Sequence, residues 1–573
     1  MMSPLRLLPE PHPDRPRPPD LPMYRPTDPQ LSLMESQYLV SPKKRERLQK
    51  SWAEAFRAHV LPLIDEEAFR DCFSADNGRP NTSIRLLVGL HLLKEADDLT
   101  DEQILDALEF NLQWQHALGV APADAHICEK TLHNFRNLML GNARACGMFV
   151  QMTGALMKVD GLSAVRQRLD STHTISNIAV LTRLGLFTET VTNFLRDLRR
   201  DAPAKLTWLG EGYTERYLAR EGYFADAKRE EAPRRVPLVA RDLYALVRLF
   251  EADADVNVWP SYLLLVRLLA EQCEVTGDPD PEAPPTAVKE PKDVGGDSLQ
   301  SPHDPDATYG HKGKGYEVQL AETCVPENPY EVVTAVAVNG ANVSDQHATV
   351  PIIEQLIENG RKPDDLLADT AYSGGDNLVA AATLGVTLIA PVQDPNKPVP
   401  PAPGEAALPP VTTETAGLGD FTFNAVFDEV TTCPQGHAPI EQHATKLGFQ
   451  ATFAGDACAT CPLAAICAAQ HRAHTDDRVL PWRPPAAATA TRQREQKERA
   501  FKHDYKLRSG IESTNAEFKG RHGARKLRVR GRDRVHLAIH LKALALNTKR
   551  AVQYHTDVLR AVFGTTEPTV AAG

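Results

Sequence analysis

No run of about 18 apolar residues occurs in the 573-residue chain, which excludes a helix able to span a bilayer. Residues 1–29 are rich in proline, arginine and aspartate and lack the apolar centre of a signal peptide or anchor, so a cytoplasmic setting is expected. Cysteine is scarce. Nine in so long a chain do not make a disulfide framework, and four of them crowd between Cys433 and Cys467, as a metal site in a reducing compartment would have them. An excess of positive charge is also missing: a formal net charge of -11 speaks, on average, against a nucleic-acid binder. Gly310-His-Lys312-Gly-Lys314-Gly315 lacks the spacing of a phosphate loop and does not stand between a strand and a helix, so nucleotide binding is rejected there. No His-x-Glu precedes the cysteine pair, which argues against a deaminase-type catalytic zinc.

What is present is segregated. Residues 501–550 hold fourteen Lys/Arg against four Asp/Glu, so this block is +10 and the remainder about -21. Inside it lies Tyr505-Lys-Leu-Arg508-Ser-Gly-Ile-Glu512-Ser-Thr-Asn515-Ala-Glu-Phe-Lys519. At about 100° per residue, Arg508, Glu512 and Lys519 fall within about 60° of Tyr505, so one face carries a phenol, two cations and a carboxylate. A lone acid in a basic row suits a metal ligand whose substrate is a polyanion. Spaced salt bridges on a solvated helix would give the same pattern, so the rest of the chain has to decide.

With 42% hydrophobic residues the chain is ordinary for a globular protein and long enough for three or four domains. Residues 1–35 read as a disordered leader. Residues 36–158 read as a helical domain: an amphipathic helix over 51–73, a buried helix over 81–94, a third helix capped by Thr100, and a short helix around Leu132 and Phe135 that exposes Lys130, His133 and Arg136. The last two resemble a helix-turn-helix, with Lys130 and Arg136 as DNA contacts. Alternating residues over 162–173 predict a strand ending at Asp170. Residues 182–272 read as a helical insertion and 278–306 as a proline-rich, acidic linker. Further strands are expected over 315–324, 332–338, 366–369 (ending at Asp369 in Leu366 to Tyr372) and 386–391, with helices over 344–359 and 376–384. Aspartates at two strand ends and an acid beside two cations are what two-metal phosphoryl chemistry needs, because Mg²⁺ prefers carboxylate oxygens.

In their order, Asp170-Ser-Thr, Asp304-Pro-Asp306-Ala with Gly310 to Tyr316, Ala368-Asp369-Thr-Ala-Tyr372 and the Tyr505, Arg508, Glu512, Lys519 helix resemble the DDE transposases of bacterial insertion sequences. The likeness runs from about residue 81 to 550. The resemblance implies an α/β fold with an RNase H-like core and a mixed sheet, and Asp170, Asp369 and Glu512 as its metal-binding triad. It also implies phosphate or strand contacts by Tyr505, Arg508 and Lys519. Asp304 and Lys312 match a stretch without an assigned role. The core would be built from 159–181, 307–394 and 491–556, interrupted by the helical insertion and linker over 182–306 and by a proline-rich and cysteine-rich stretch over 395–490. Residues 557–573 form a tail.

Cys433-Pro-Gln-Gly-His437 and Cys458-Ala-Thr-Cys461 followed by Cys467 resemble a four-cysteine zinc ribbon, with His437 as a substitute ligand and a metal-free reduced module as the alternative. Arg521, Arg525, Lys526 and Arg528 continue through Arg530, Arg532 and Arg534 in a row without aromatics, which tracks a phosphate backbone and reads little sequence. The expected function is a DNA transposase that cuts the ends of its element and joins them to target DNA, acting as a homodimer in the DNA complex. Two Mg²⁺ ions, with Mn²⁺ as the alternative metal, are its expected cofactors. A DNA-binding relic and an RNase H-like nuclease without strand transfer are the rivals.

Overall fold

A computed structural model of the chain describes residues 22–27, 37–75, 78–140, 144–219, 232–275, 286–393, 416–472 and 474–564. The leader other than 22–27, the proline-rich stretch up to residue 415 and the tail beyond 564 lie outside these. Two compact units emerge, one of Met1–Leu156 with Asn547–Gly573 and one of Met157–Leu546.

The first unit is helical. Its centre is Ile84–Ala96, apolar nearly all round and buried at twelve of its thirteen positions. Asp101–Phe110 starts with a full capping box, in which the Thr100 hydroxyl accepts from Gln103 N and the Gln103 side chain accepts from Thr100 N. Leu112–Leu118 ends at Gly119, in left-handed backbone, and Glu129–Leu140 follows. The expected single helix over 51–73 is instead Trp52–His59 and two 3-10 segments, Leu61–Leu63 and Glu67–Cys72. Pro62 explains the break, since it removes a backbone donor and crowds the preceding turn.

His91 in the central helix is 1% exposed, its Nδ1 lies 2.7 Å from the Leu87 carbonyl, and burial pushes its pKa from 6.5 down to about 4. The unfolded chain protonates this ring near pH 6.5 and the folded chain only near 4, so its contribution to stability is lost as pH falls through that window. The thermal midpoint of the wild type is expected to fall faster between pH 6.5 and 4 than that of His91→Gln, which lacks the titrating ring. Parallel pH profiles contradict this.

The second unit is built on a six-stranded mixed sheet: β1 (Arg166–Thr174), β2 (Thr308–Gly310), β3 (Gly313–Thr323), β4 (Val333–Gly340), β5 (Asp365–Leu367) and β6 (Thr387–Ile389). β3 pairs antiparallel with β1, β2 and β4, while β1–β5 and β5–β6 are parallel. Leu169, Leu366 and Leu388 pack against Ile352 and Leu356 of Thr349–Glu358, and against Leu378 of Gly375–Thr383. The Gly310 to Gly315 stretch is the β2–β3 hairpin, with Gly313 and Gly315 at φ of 117° and 141°.

Three expectations change here. Asp170 lies within β1 rather than at its end, because the eleven-residue β3 offers a ladder as far as Thr174 opposite Tyr316. Asp369 stands two residues beyond β5 and caps a 3-10 turn, Thr370–Tyr372. The stretch over 278–306 is partly folded: Thr286–Val288 pairs with Cys273–Val275, and Ser298, Leu299, Ser301 and Asp304 are buried, while 276–285 lie outside the described residues. Arg267 of Pro260–Gln272 holds this stretch by donating to the Pro305 carbonyl at 2.8 Å and the Asp297 carbonyl at 2.9 Å. Between β1 and this stretch, Arg183–Asp201, Ala232–Phe250 and Pro260–Gln272 are joined over Phe187, Phe194, Leu243, Leu246 and Leu265. Residues 416–482 add a four-stranded antiparallel sheet of their own around Phe453, Leu480 and Trp482.

Candidate active site

The Tyr505 to Lys519 stretch is not one α-helix. Arg499–Tyr505 is α-helical, Lys506–Ser509 is 3-10, and Gly510–Gly520 resumes the α-helix. One long-range and one local bond account for the tightened middle: the Leu507 carbonyl accepts from Arg168 Nη1 at 2.8 Å, and Ser509 Oγ donates to the Lys506 carbonyl at 2.9 Å. The Tyr505 ring is half-buried beside Phe501, Leu367 and Ile389, and burial raises its pKa.

Arg508 is where the three acids meet. Its Nη2 lies 3.3 Å from Asp170 Oδ1 and 3.7 Å from Asp369 Oδ2, and its Nη1 lies 3.1 Å from Glu512 Oε1. The structure thus brings residues from β1, from the turn after β5 and from a late helix onto one guanidinium. Their side chains are 15%, 36% and 66% exposed, so the group opens from Asp170 outward to Glu512. Asp369 is oriented by accepting from Ala371 N at 2.8 Å, and Asp170 by accepting from Asn515 Nδ2 at 3.1 Å. Burial raises the pKa of Asp170, against the pull of Arg508. Burial opposes the charge on Arg508, but Asp170 and its other anionic neighbours outweigh it and leave the guanidinium more basic than usual.

The donor set, three carboxylates around one cation, is the chemistry that a hard divalent ion takes. Asn515 Oδ1, buried and without a partner among the described residues, adds a neutral oxygen on the same helix. Even so, among the described residues no three His, Cys, Asp or Glu side chains stand close enough to form a ready cage.

A polar bed lies beside the acids, and of its members Glu317, Gln319 and Asp345 were not singled out from the sequence. Ser171 Oγ donates to Asp345 at 3.0 Å and accepts from Lys312 Nζ at 2.9 Å, and Lys312 also pairs with Glu317. Gln319 joins Asp345 at 2.7 Å to the buried Tyr372 hydroxyl at 2.6 Å. These contacts depend on cross-strand register, which no local pattern carries. Asn515 could have been found, since it stands three residues after Glu512 on the same face.

The cations expected to meet DNA fall in several places. Lys519 is half-buried on its helix, and Arg521, Arg525, Lys526 and Arg528 are exposed. The row runs beside the end of β1, with Ile175 N donating to the Arg525 carbonyl at 3.1 Å and Leu527 N to the Ile175 carbonyl at 2.7 Å. Ala524 and Leu527 point inward, which fixes the segment while its charged side chains face solvent. Lys130 and Arg136 belong to the other unit. Lys130 is exposed, whereas Arg136 is bidentate to Asp101, with one bond of 2.6 Å.

Cys433, Cys458, Cys461 and Cys467 are free thiols that line one cavity of about 160 Å³ together with His437. Two turns present them: Gly436 N donates to the Cys433 carbonyl at 2.8 Å and Cys461 N to the Cys458 carbonyl at 3.3 Å. Burial pushes the Cys458 thiol up.

Comparison with known proteins bears on both ends of the chain. Residues 432–552 match a family described as a transposase DDE domain, a segment that includes the cysteines, Arg508 and Glu512. Residues 45–138 match a second family, described as a transposase domain, over the helices of the first unit. An uncharacterized protein, ORF8 in the nfe locus of Rhizobium meliloti, is 40% identical over 75 residues, which is 12% of this chain and 36% of that protein. The chain therefore spans about a third of the relative's length. No solved structure matches.

Proposed function

We propose that this chain, whose two matched segments show the likeness to insertion-sequence DDE transposases, cuts DNA at the ends of its own element and joins the freed 3′-hydroxyl to target DNA. The observation that supports it is the meeting of Asp170, Asp369 and Glu512 on the Arg508 guanidinium, with the exposed row from Arg521 to Arg528 continuing from the same helix. In this reading the mixed sheet is an RNase H-like core, and Asp170, Asp369 and Glu512 are the catalytic carboxylates that would hold two Mg²⁺ ions, with Mn²⁺ as the alternative. Bound there, the ions stabilise the attacking and leaving oxygens of an in-line displacement. Arg508 gives up part of its hold on the acids to a DNA phosphate, and Tyr505 and Lys519 flank the cut end. Arg521, Arg525, Lys526 and Arg528 follow the backbone, while Lys130 and Arg136 belong to the element-binding unit. The protein works in the cytoplasm as a homodimer, one copy for each DNA end.

The test uses purified full-length protein and labelled duplexes taken from the DNA that flanks the coding sequence, with Mg²⁺ or Ca²⁺. Cleavage and joined product with Mg²⁺, and neither with Ca²⁺, are expected. Nicked DNA without joined product would make the protein a nuclease, and uncut but bound DNA a relic.

The cysteine module is read as a structural zinc site of Cys433, Cys458, Cys461 and Cys467, a reading that rests on their lining one cavity, in which they do not stand as a closed cage. Elemental analysis of protein purified without chelator is expected to find about one zinc per chain, and Cys461→Ser to lose it. Zinc-free protein with all four thiols reactive contradicts the site.

A further inference from the structure

Behind the acids lies a buried ion pair that the proposed chemistry does not use. Arg168 and Glu322 face each other across β1 and β3, two residues along β1 from Asp170. The Glu322 side chain is fully buried and that of Arg168 is 12% exposed, with Arg168 Nη2 2.6 Å and Nε 2.7 Å from Glu322 Oε1. Both partners also grip the segment that carries Arg508 and Glu512. Arg168 Nη1 donates to the Leu507 carbonyl at 2.8 Å, and Thr514 Oγ1 lies 2.9 Å and 2.8 Å from the two Glu322 oxygens. Gly510 completes the fit, because a Cβ there would stand 1.9 Å from Arg168 Nη1.

We propose that Arg168 and Glu322 are positioning residues for the proposed cleavage reaction: they set the register of residues 507–514 against β1, so that Arg508 and Glu512 face Asp170. The inference rests on the functional reading above. A purely stabilising role explains the pair poorly, because the desolvation of two buried charges cancels most of their attraction, and apolar pairs of similar volume are often as stable. Geometry is what the apolar pair cannot reproduce. It offers no donor to Leu507 and no acceptor to Thr514, and a shift of about 1 Å at a reacting group can slow a reaction by about 10²-fold.

The experiment compares full-length wild type with Arg168→Met/Glu322→Leu and with Thr514→Val. Thermal midpoint, binding of a labelled end duplex, single-turnover cleavage with Mg²⁺ and hydrogen exchange over 507–514 are measured. The double variant is expected to stay folded and to bind ends within about threefold, while its cleavage step slows by about 30-fold or more and 507–514 exchange faster. Thr514→Val, which buries no new charge, is expected to slow cleavage by about fivefold with binding unchanged, and it decides the matter if the double variant does not fold. Wild-type cleavage and exchange in the folded double variant, or in Thr514→Val when the double variant is unfolded, overturn the proposal. A wild type that cuts nothing overturns the functional reading instead, and the exchange data alone then decide whether the pair sets the register.

Discussion

Glu512→Gln is expected to lower strand cleavage by about 10³-fold or more while end binding stays within about threefold. The amide has the size of the acid but brings no charged oxygen to a hard cation. The side effects of the change are small because Glu512 is 66% exposed, and its pairing with Arg508 at 3.1 Å is of the solvent-screened kind worth about 1 kcal/mol or less. Folding and DNA contacts are therefore preserved, and the loss reports on chemistry. Gel assays of cleavage and binding on the same labelled duplex separate the two. Cleavage that survives the change removes Glu512 from the mechanism.

Gly510→Ala is expected to destabilise the protein by about 3–5 kcal/mol, against what helix propensity says. Gly510 has ordinary right-handed backbone, φ -61° and ψ -25°, at the start of a helix. In such a place alanine usually stabilises by about 1 kcal/mol. Here the added methyl meets the Arg168 guanidinium at 1.9 Å. A long side chain normally swings clear, but this one is fixed by Glu322 and the Leu507 carbonyl. Moving it leaves a buried carboxylate without its cation, the costly half of a buried pair. Denaturant unfolding measures the sign directly, and a stabilised Gly510→Ala variant refutes the clamp.

The acids were legible in the sequence because each stands in a short text of its own: Asp170 in an alternating strand, Asp369 after an apolar run, Glu512 between cations. Their exact backbone setting was not. How far β1 runs past Asp170 depends on β3, more than 130 residues away, and a period-2 pattern says nothing of a partner's length. The 3-10 segment Lys506–Ser509 was hidden for the same reason, since the bond that draws off the Leu507 carbonyl comes from Arg168, 339 residues earlier. Nothing in the sequence marked Arg168 or Glu322, and only the register shows them opposite each other and enclosed. The stretch over 278–306 read as a linker because proline and acid dominate it, yet Leu299 and Asp304 are fully buried within its described part. Composition could not report the carbonyl contacts that Arg267 makes there.

Asp170, Asp369 and Glu512 are expected to share divalent ions when DNA is bound. Anomalous scattering from Mn²⁺ in crystals of the protein with an end duplex tests it most directly. Two Mn²⁺ peaks about 4 Å apart, with Asp170 touching both and Asp369 and Glu512 one each, are predicted. Manganese elsewhere, or Glu512 turned away from the ions that Asp170 and Asp369 hold, contradicts the account.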